Sequence, residues 1–431
     1  MNKFVEIIGD QRTELEQLLK EEGLIVRERT SDVIVDSSLA QMVTGIRRCG
    51  KSVLCRSALV KAGVAFGYVN FDHAELDGIT ANDLNEILKA VYIVYGDVDY
   101  LFFDEIQNAP KWQLWVNSLL RIRKRIVITG SNSRLLTDDL ATHMTGRFIP
   151  TELLPFSFAE YRAWLKRGEA GTTIEKVERR RDYDRYFLNG GMPESFVHPD
   201  VRRYVETLYH SILLRDVLQR HRLRDTKRFM DTAYVIMNNF ATEVSCNRLA
   251  GQLGIKNAVT VQTYIHYLDE SYLIRTMRMY GSRAYERTRI GKVYAIDPGF
   301  ISYFSGFSNI GDSYGRRLEN IVFLQLYRMQ RETDAEVFYW KDDRHEIDFL
   351  LRRYNQVWKL IQVSYDISNE KTRKRELSAL FAAGAKLKCS DLMLITDHEN
   401  GEVSQNGMTV KIVDIVTWLT ESPSCLRRAL R

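Results

Sequence analysis

Gly45 and Gly50 bracket four residues in the stretch GIRRCGKS, and Lys51 and Ser52 follow at once. Residues of these types at this spacing can grip a phosphate. Glycines let successive main-chain N–H groups curl round an anion. A lysine next in line reaches the terminal phosphates of a nucleotide, and a hydroxyl after it offers an oxygen to Mg2+. Gly45, Ile46, Arg47, Arg48, Cys49, Gly50, Lys51, Ser52 and Val53 are therefore the candidate nucleotide-binding loop.

The flanks must hold that loop between a strand and a helix. AQMVTG (40–45) reads as a buried strand, and SVLCRSALVKAG (52–63) as a helix ended by Gly63, with Val53, Leu54, Ser57, Ala58 and Val60 near one face. The helix N-terminus adds partial positive charge. A second strand, Tyr100 to Phe103, lies within VDYLFFDEIQNAPKW (98–112) and ends in Asp104-Glu105. Its continuous apolar run suits a parallel strand buried on both faces. Carboxylates at the C-terminal edge of such a strand face a ligand crevice. Asp104 is expected to hold the magnesium with Ser52, and Glu105 to polarise the attacking water as general base. RIVITGSNSRLL (125–136) gives a third strand, stopping where either Ser131 or Asn132 can touch the γ-phosphate and the water. GYVNFDHAEL (67–76) supplies a further strand, with Val69 and Phe71 internal.

GIRRCGKS, LFFDEIQ, ITGSNSRLL and TGRFIPTELLPFSFAEY together resemble the AAA-type ATPases of bacteria and archaea that carry a C-terminal domain of unknown function. The resemblance covers nearly the whole chain. It implies ATP and Mg2+ as ligands and a five-stranded parallel sheet of the additional-strand type. The fold class that follows is α/β: a P-loop NTPase core (1–155), a helical lid and linker (156–235), a winged-helix domain (236–290) and a restriction-endonuclease-like α/β domain (291–431). The resemblance also implies that Arg147, after Gly146, is an arginine finger, donated either to its own nucleotide or to a neighbour's. Arg47 and Arg48 either add positive charge near the phosphates or bind a neighbouring acid.

Beyond Phe156 the pattern turns helical. SFAEYRAWLKRG (157–168) places Phe158, Tyr161, Trp164 and Leu165 on one face. Gly190-Gly191-Met192-Pro193 reads as a sharp turn. In 241–281, Ser245 caps a short helix, and a second helix carries the stripe Val261, Tyr264, Ile265 and Leu268. A strand-like segment follows. Helix, turn, helix and wing resemble a winged-helix domain, which can dock its second helix on DNA or serve as a protein–protein module. Lys256, Asn257, Thr260 and Gln262 are the residues that would face bases or phosphates. Asp269 and Glu270 on the same helix oppose that use.

GRRLENIVFLQLYRM (315–329) is an amphipathic helix with Leu318, Ile321, Val322, Leu324 and Leu326 apolar. Strands in 335–367, a helix at 371–387, a strand at 392–397 and a strand or helix at 413–422 complete the restriction-endonuclease-like order. Active nucleases of that fold bind metal through a helix Glu, a strand Asp and a third-strand Glu-x-Lys. Here Glu319, Glu346 and Asp348 supply acids, but the third strand reads Gln362-Val-Ser364. A neutral glutamine is a poor Mg2+ ligand, and serine does not replace the lysine. The expectation is a vestigial nuclease site on a fold kept as a DNA-binding or assembly surface. The basic run Lys371 to Arg375 suits either phosphate contacts or a solvated helix face.

The 431 residues carry 61 Lys and Arg against 56 Asp and Glu, a small excess that permits local contact with nucleic acid without demanding it. Cys49, Cys55, Cys246, Cys389 and Cys425 show no paired spacing, which argues against a disulfide framework and structural zinc and for a reducing, cytoplasmic compartment. The first residues, rich in acids, are not a secretory signal, and no apolar run is long enough to span a membrane. The expected function is a Mg-dependent ATPase that couples nucleotide state to movement of C-terminal domains that bind DNA or protein, alone or as a homo-oligomer. The alternatives are an ATP-regulated DNA-binding nuclease and a slow-hydrolysis signalling switch.

Overall fold

Five short apolar runs pair into one parallel sheet: β1 (Ala40–Thr44), β2 (Phe66–Asn70), β3 (Tyr100–Asp104), β4 (Arg125–Gly130) and β5 (Phe148–Glu152). The order is β2-β3-β4-β1-β5, so β4 is inserted between β1 and β3. The computed structural model in which this is seen describes residues 3–21, 27–131, 146–168, 171–281, 290–305 and 310–420. The chain divides into two compact units, Met1–Pro155 with Glu270–Tyr272, and Phe156–Asp269 with Leu273–Arg431.

In the first unit the registers align three strand ends. Thr44 lies opposite Gly130, Phe103 opposite Ile128, and Asn70 opposite Asp104. The C-terminal ends of β1, β3 and β4 therefore form one edge. Leu101, Phe102 and Phe103 are fully buried, as a two-sided parallel strand requires. One core cluster joins Met42, Val69, Phe103 and Ile128 with residues of helices Lys3–Glu21, Asp83–Tyr95 and Trp112–Arg121. Val69 and Phe71 are internal. The helix after the candidate loop, Lys51–Lys61, departs from the expected single face. Leu54, Cys55, Ala58 and Leu59 are buried, whereas Val53 is half-buried and Val60 is exposed. The helix packs on β4, β1 and the turn Glu28–Asp32, so it is covered nearly all round and needs no narrow stripe.

The second unit carries two further sheets. β6 (Thr242–Glu243), β7 (Ile274–Met277) and β8 (Lys292–Ala295) form a small antiparallel sheet in the order β6-β8-β7. Between β6 and β7 lie helices Cys246–Gln252 and Ala258–Glu270, the first capped by Ser245, the second burying Val261, Tyr264, Ile265 and Leu268. A six-stranded mixed sheet contains β9 (Glu336–Lys341), β10 (Glu346–Arg353), β11 (Gln356–Ser364), β12 (Leu392–Thr396), β13 (Gly401–Gln405) and β14 (Met408–Asp414) in the order β13-β14-β12-β11-β10-β9. Helix Glu370–Leu387 covers it through Leu380, Leu360 and Leu392. Helix Ile310–Thr333 buries Leu318, Ile321, Val322, Leu324 and Leu326.

Of the expected strand or helix at 413–422, the described part is both: β14 ends at Asp414 and residues 415–420 are helical. The β13–β14 hairpin lies outside the sequence reading. Asn406 and Gly407 turn it with φ of 51° and 77°, the backbone that an Asn-Gly hairpin turn requires.

Candidate functional site

β1 delivers the chain at Thr44 into the glycine-bracketed loop. A Cβ on Gly45 would lie 2.1 Å from the Leu153 carbonyl oxygen, so only glycine fits there. Gly50 adopts a φ of 96° and caps helix Lys51–Lys61. The loop is held from behind by buried Arg27, which donates to the Cys49 carbonyl at 2.9 Å and the Leu154 carbonyl at 2.8 Å. Ile46 and Cys49 are buried within the loop, and burial pushes the Cys49 thiol up, away from reactive thiolate. Arg47 lies 3.7 Å from Asp72, a neighbouring acid.

Lys51 and Ser52 turn toward the acidic end of β3. The Lys51 ammonium donates to the carbonyls of Gly45 and Ile46, both at 3.2 Å, and lies 3.6 Å from Glu105. The Ser52 hydroxyl donates to Asp104 at 2.9 Å. Asp104 also accepts from the Thr129 hydroxyl of β4 and from the Tyr68 hydroxyl of β2 at 3.3 Å. Burial, reinforced by Glu105, raises the Asp104 carboxyl above its ordinary range.

Glu105 follows in a left-handed conformation, φ 50°, with its N–H donating to Thr129 Oγ1 at 3.0 Å. Burial acts to raise its pKa, yet Lys51, Gln107 and Arg47 hold it below the usual carboxylate range. The amide of Gln107 donates to Glu105 and lies 3.4 Å from the Ser131 hydroxyl, which is fully buried. The loop, Asp104, Glu105 and Ser131 are thus gathered at one edge of one sheet.

Arg147 is not in that group. Asn132 lies outside the described residues. Arg147 is exposed and precedes β5; its carbonyl accepts from the N–H of Ala40, the first residue of β1. That places it at the edge opposite the loop, so donation to its own nucleotide does not fit.

Arg27, Tyr68, Thr129 and Gln107 were not legible as site residues. Tyr272, whose hydroxyl donates to Thr44 Oγ1 at 2.7 Å just before Gly45, was not legible either. Gln107 lies three residues beyond Asp104 in the same motif, and that proximity was the only signal available.

In the second unit Glu319, Glu346 and Asp348 do converge, on Lys292 of β8 at 3.1, 2.7 and 3.5 Å. Gln362 does not point a ligand into this group. Its carbonyl accepts from the Asp348 N–H at 3.2 Å and its amide donates to Glu376 at 2.9 Å. Of the basic run, Arg373, Lys374 and Arg375 lie beside Glu399, Glu370 and Glu376, as on a solvated helix face.

Comparison with known proteins fits this geometry. Residues 37–162 match the model of an AAA domain; 180–310 and 314–416 match two domains of unknown function, DUF8612 and DUF4143. An uncharacterised protein of Methanocaldococcus jannaschii is 32% identical over 394 residues, covering 88% of this chain and 87% of its own. An uncharacterised protein of Haemophilus influenzae is 27% identical over 402 residues, covering 90% and 95%. Among solved structures, the Walker-type ATPase PABY2304 of Pyrococcus abyssi is 17% identical, covers 65% of this chain and 95% of its own, and has a TM-score of 0.45. AMPPCP-bound DnaA from Aquifex aeolicus is 15% identical over 56% of this chain and 85% of its own, with a TM-score of 0.26. Likenesses of that degree carry no argument. The full-length likeness carries more, and by it the chain belongs to the family of the Methanocaldococcus jannaschii protein, an AAA domain joined to a C-terminal DUF4143 domain.

Proposed function

We propose that the chain binds ATP with Mg2+ between the 45–53 loop and Asp104-Glu105 and hydrolyses it. The observation that supports this most is the meeting of two separate motifs: Ser52 lies 2.9 Å from Asp104, and Lys51 lies 3.6 Å from Glu105.

The donor set suits a hard divalent ion, because a hydroxyl and a carboxylate oxygen already lie side by side. Ser52 and Asp104 would hold Mg2+, which would supply positive charge against the phosphates. The loop amides and the helix N-terminus cradle the phosphates. Lys51 exchanges its contacts with the Gly45 and Ile46 carbonyls and Glu105 for the terminal phosphates. Glu105, kept ionised by its surroundings, then accepts the proton of the attacking water. Gln107 orients that carboxylate, and Ser131 is the described candidate for contact with the γ-phosphate. Arg147 is assigned to a neighbouring copy's nucleotide, because its own loop lies at the other sheet edge. Replacing Glu105 by Gln should leave ATP bound and stop turnover; an unchanged rate would refute the base assignment.

The remainder of the chain is read as the output. The order β6, two helices, β7, β8 supports a winged-helix domain. The six-stranded sheet with its two helices supports a restriction-endonuclease-like fold without nuclease activity, given Gln362 and Ser364. Nucleotide state is relayed to these domains and to a DNA or protein partner. Buried thiols at Cys49, Cys55 and Cys389 suit a cytoplasmic protein. Protease digestion with ATP analogue and with ADP tests the relay; identical patterns would argue against it.

A further inference from the structure

We infer that the Lys292 ammonium takes the position that a divalent cation holds in active nucleases of this fold, so that the second unit's acidic cluster binds its own chain instead of a metal. The inference rests on the restriction-endonuclease-like reading of that unit and is independent of the ATP site.

Lys292 is 4% exposed and begins β8, outside the six-stranded sheet. One carboxylate from helix Ile310–Thr333, Glu319, and two from β10, Glu346 and Asp348, approach the single nitrogen at 3.1, 2.7 and 3.5 Å. An ammonium has three N–H donors and no acceptor, which matches three acids. Glu319 Oε1 accepts a second bond, from the Tyr294 hydroxyl at 2.7 Å, and Asp348 Oδ2 accepts from the Val363 N–H at 2.9 Å. The oxygens a metal would need are thereby engaged.

The third strand lacks the groups that metal-dependent catalysis requires. Gln362 stands where a third-strand acid is required and spends its amide on Glu376 and its carbonyl on the Asp348 N–H. Ser364 stands where the strand lysine is required. With Lys292 seated among the acids, no group of three His, Cys, Asp or Glu side chains among the described residues is arranged to hold a metal ion. A positive charge so held joins β8 to β10 and to the long helix, a tie within the second unit where catalysis would otherwise sit.

The test is Mn2+ titration, by calorimetry and by electron paramagnetic resonance of free Mn2+, on the full-length protein without nucleotide. Wild type and Asp348→Asn should bind equal amounts. Lys292→Met should bind one further equivalent and melt at a higher temperature with Mn2+ present. Lys292→Met with Asp348→Asn should return to the wild-type amount. A wild-type equivalent lost in Asp348→Asn would overturn the inference, and so would a folded Lys292→Met that gains nothing. Should Lys292→Met fail to fold, the wild type and Asp348→Asn pair decides: equal binding supports the inference and a loss overturns it.

Discussion

The Ser52 hydroxyl donates to the Asp104 carboxylate at 2.9 Å, joining the first turn of the helix after β1 to the tip of β3. The contact exists because β4 lies between those strands and brings Thr129 against the same carboxylate. A hydroxyl and an acid so placed are ready to share one ion, which is the basis of the first prediction.

Replacing Ser52 with Ala should weaken Mg-dependent nucleotide binding by about tenfold or more while leaving metal-free nucleotide binding nearly unchanged, since the hydroxyl is proposed to act through the ion. Fluorescent ATP titrations with Mg2+ and with EDTA would measure both. An equal loss in the two conditions would count against the metal role.

Gln107→Ala removes a hydrogen bond to ionised Glu105. Glu105 is held below the usual carboxylate range, so ionised base should persist well into acid in the wild type. Losing one cause of that depression raises its pKa, and the acid limb of the kcat profile should move to higher pH. The kcat itself should fall by roughly tenfold with KM little changed, the expected pattern for a residue that positions a general base. A change confined to KM would contradict the role.

Gly45→Ala should abolish nucleotide binding and destabilise the first unit. The added Cβ meets the Leu153 carbonyl oxygen at 2.1 Å, and that oxygen is backbone, not the end of a flexible side chain. Thermal unfolding and ATP titration on the same sample would check both effects.

Asp297 gives a pH prediction. It is buried and accepts from the N–H groups of Gly191 and Gly299, and burial pushes its carboxyl up to about 6. The folded state therefore holds more protons than the unfolded chain between the ordinary aspartate value of 3.8 and about 6. By linkage, this group's contribution is full below the unfolded pKa and is lost as pH rises through that window, on the order of 3 kcal/mol in all. Urea unfolding of wild type and Asp297→Asn at pH 4 and pH 7 should show that extra slope in the wild type alone. Parallel slopes would remove Asp297 as its source.

How much of this was legible follows from what each element depends on. The loop, β3 and β4 were readable because an apolar run, a glycine turn and a polar tip are local signals. Tyr68 and Thr129 were not, because strand order alone brings them to Asp104, and Arg27 was not, because packing of the turn ahead of β1 brings it to Cys49. Whether Arg147 serves its own nucleotide or a neighbour's stays open in the sequence for the same reason: its neighbour in sequence, Gly146, says nothing about which sheet edge it occupies. Lys292 was hidden because a strand outside the large sheet supplies it, 27 residues before Glu319. The β13–β14 hairpin carries an Asn-Gly turn, but β13, Gly401–Gln405, is polar and largely exposed, so no apolar run marks it as a strand.

The central claim is that one edge of the first sheet binds ATP and hydrolyses it with Glu105 as base. The most direct measurement is ATP binding and phosphate release on the same preparations of wild type, Lys51→Ala and Glu105→Gln. The account predicts that Lys51→Ala loses binding, and that Glu105→Gln binds ATP as the wild type does but turns over slower by roughly a hundredfold or more. Unaltered ATP affinity in Lys51→Ala, or wild-type phosphate release in Glu105→Gln, would contradict it.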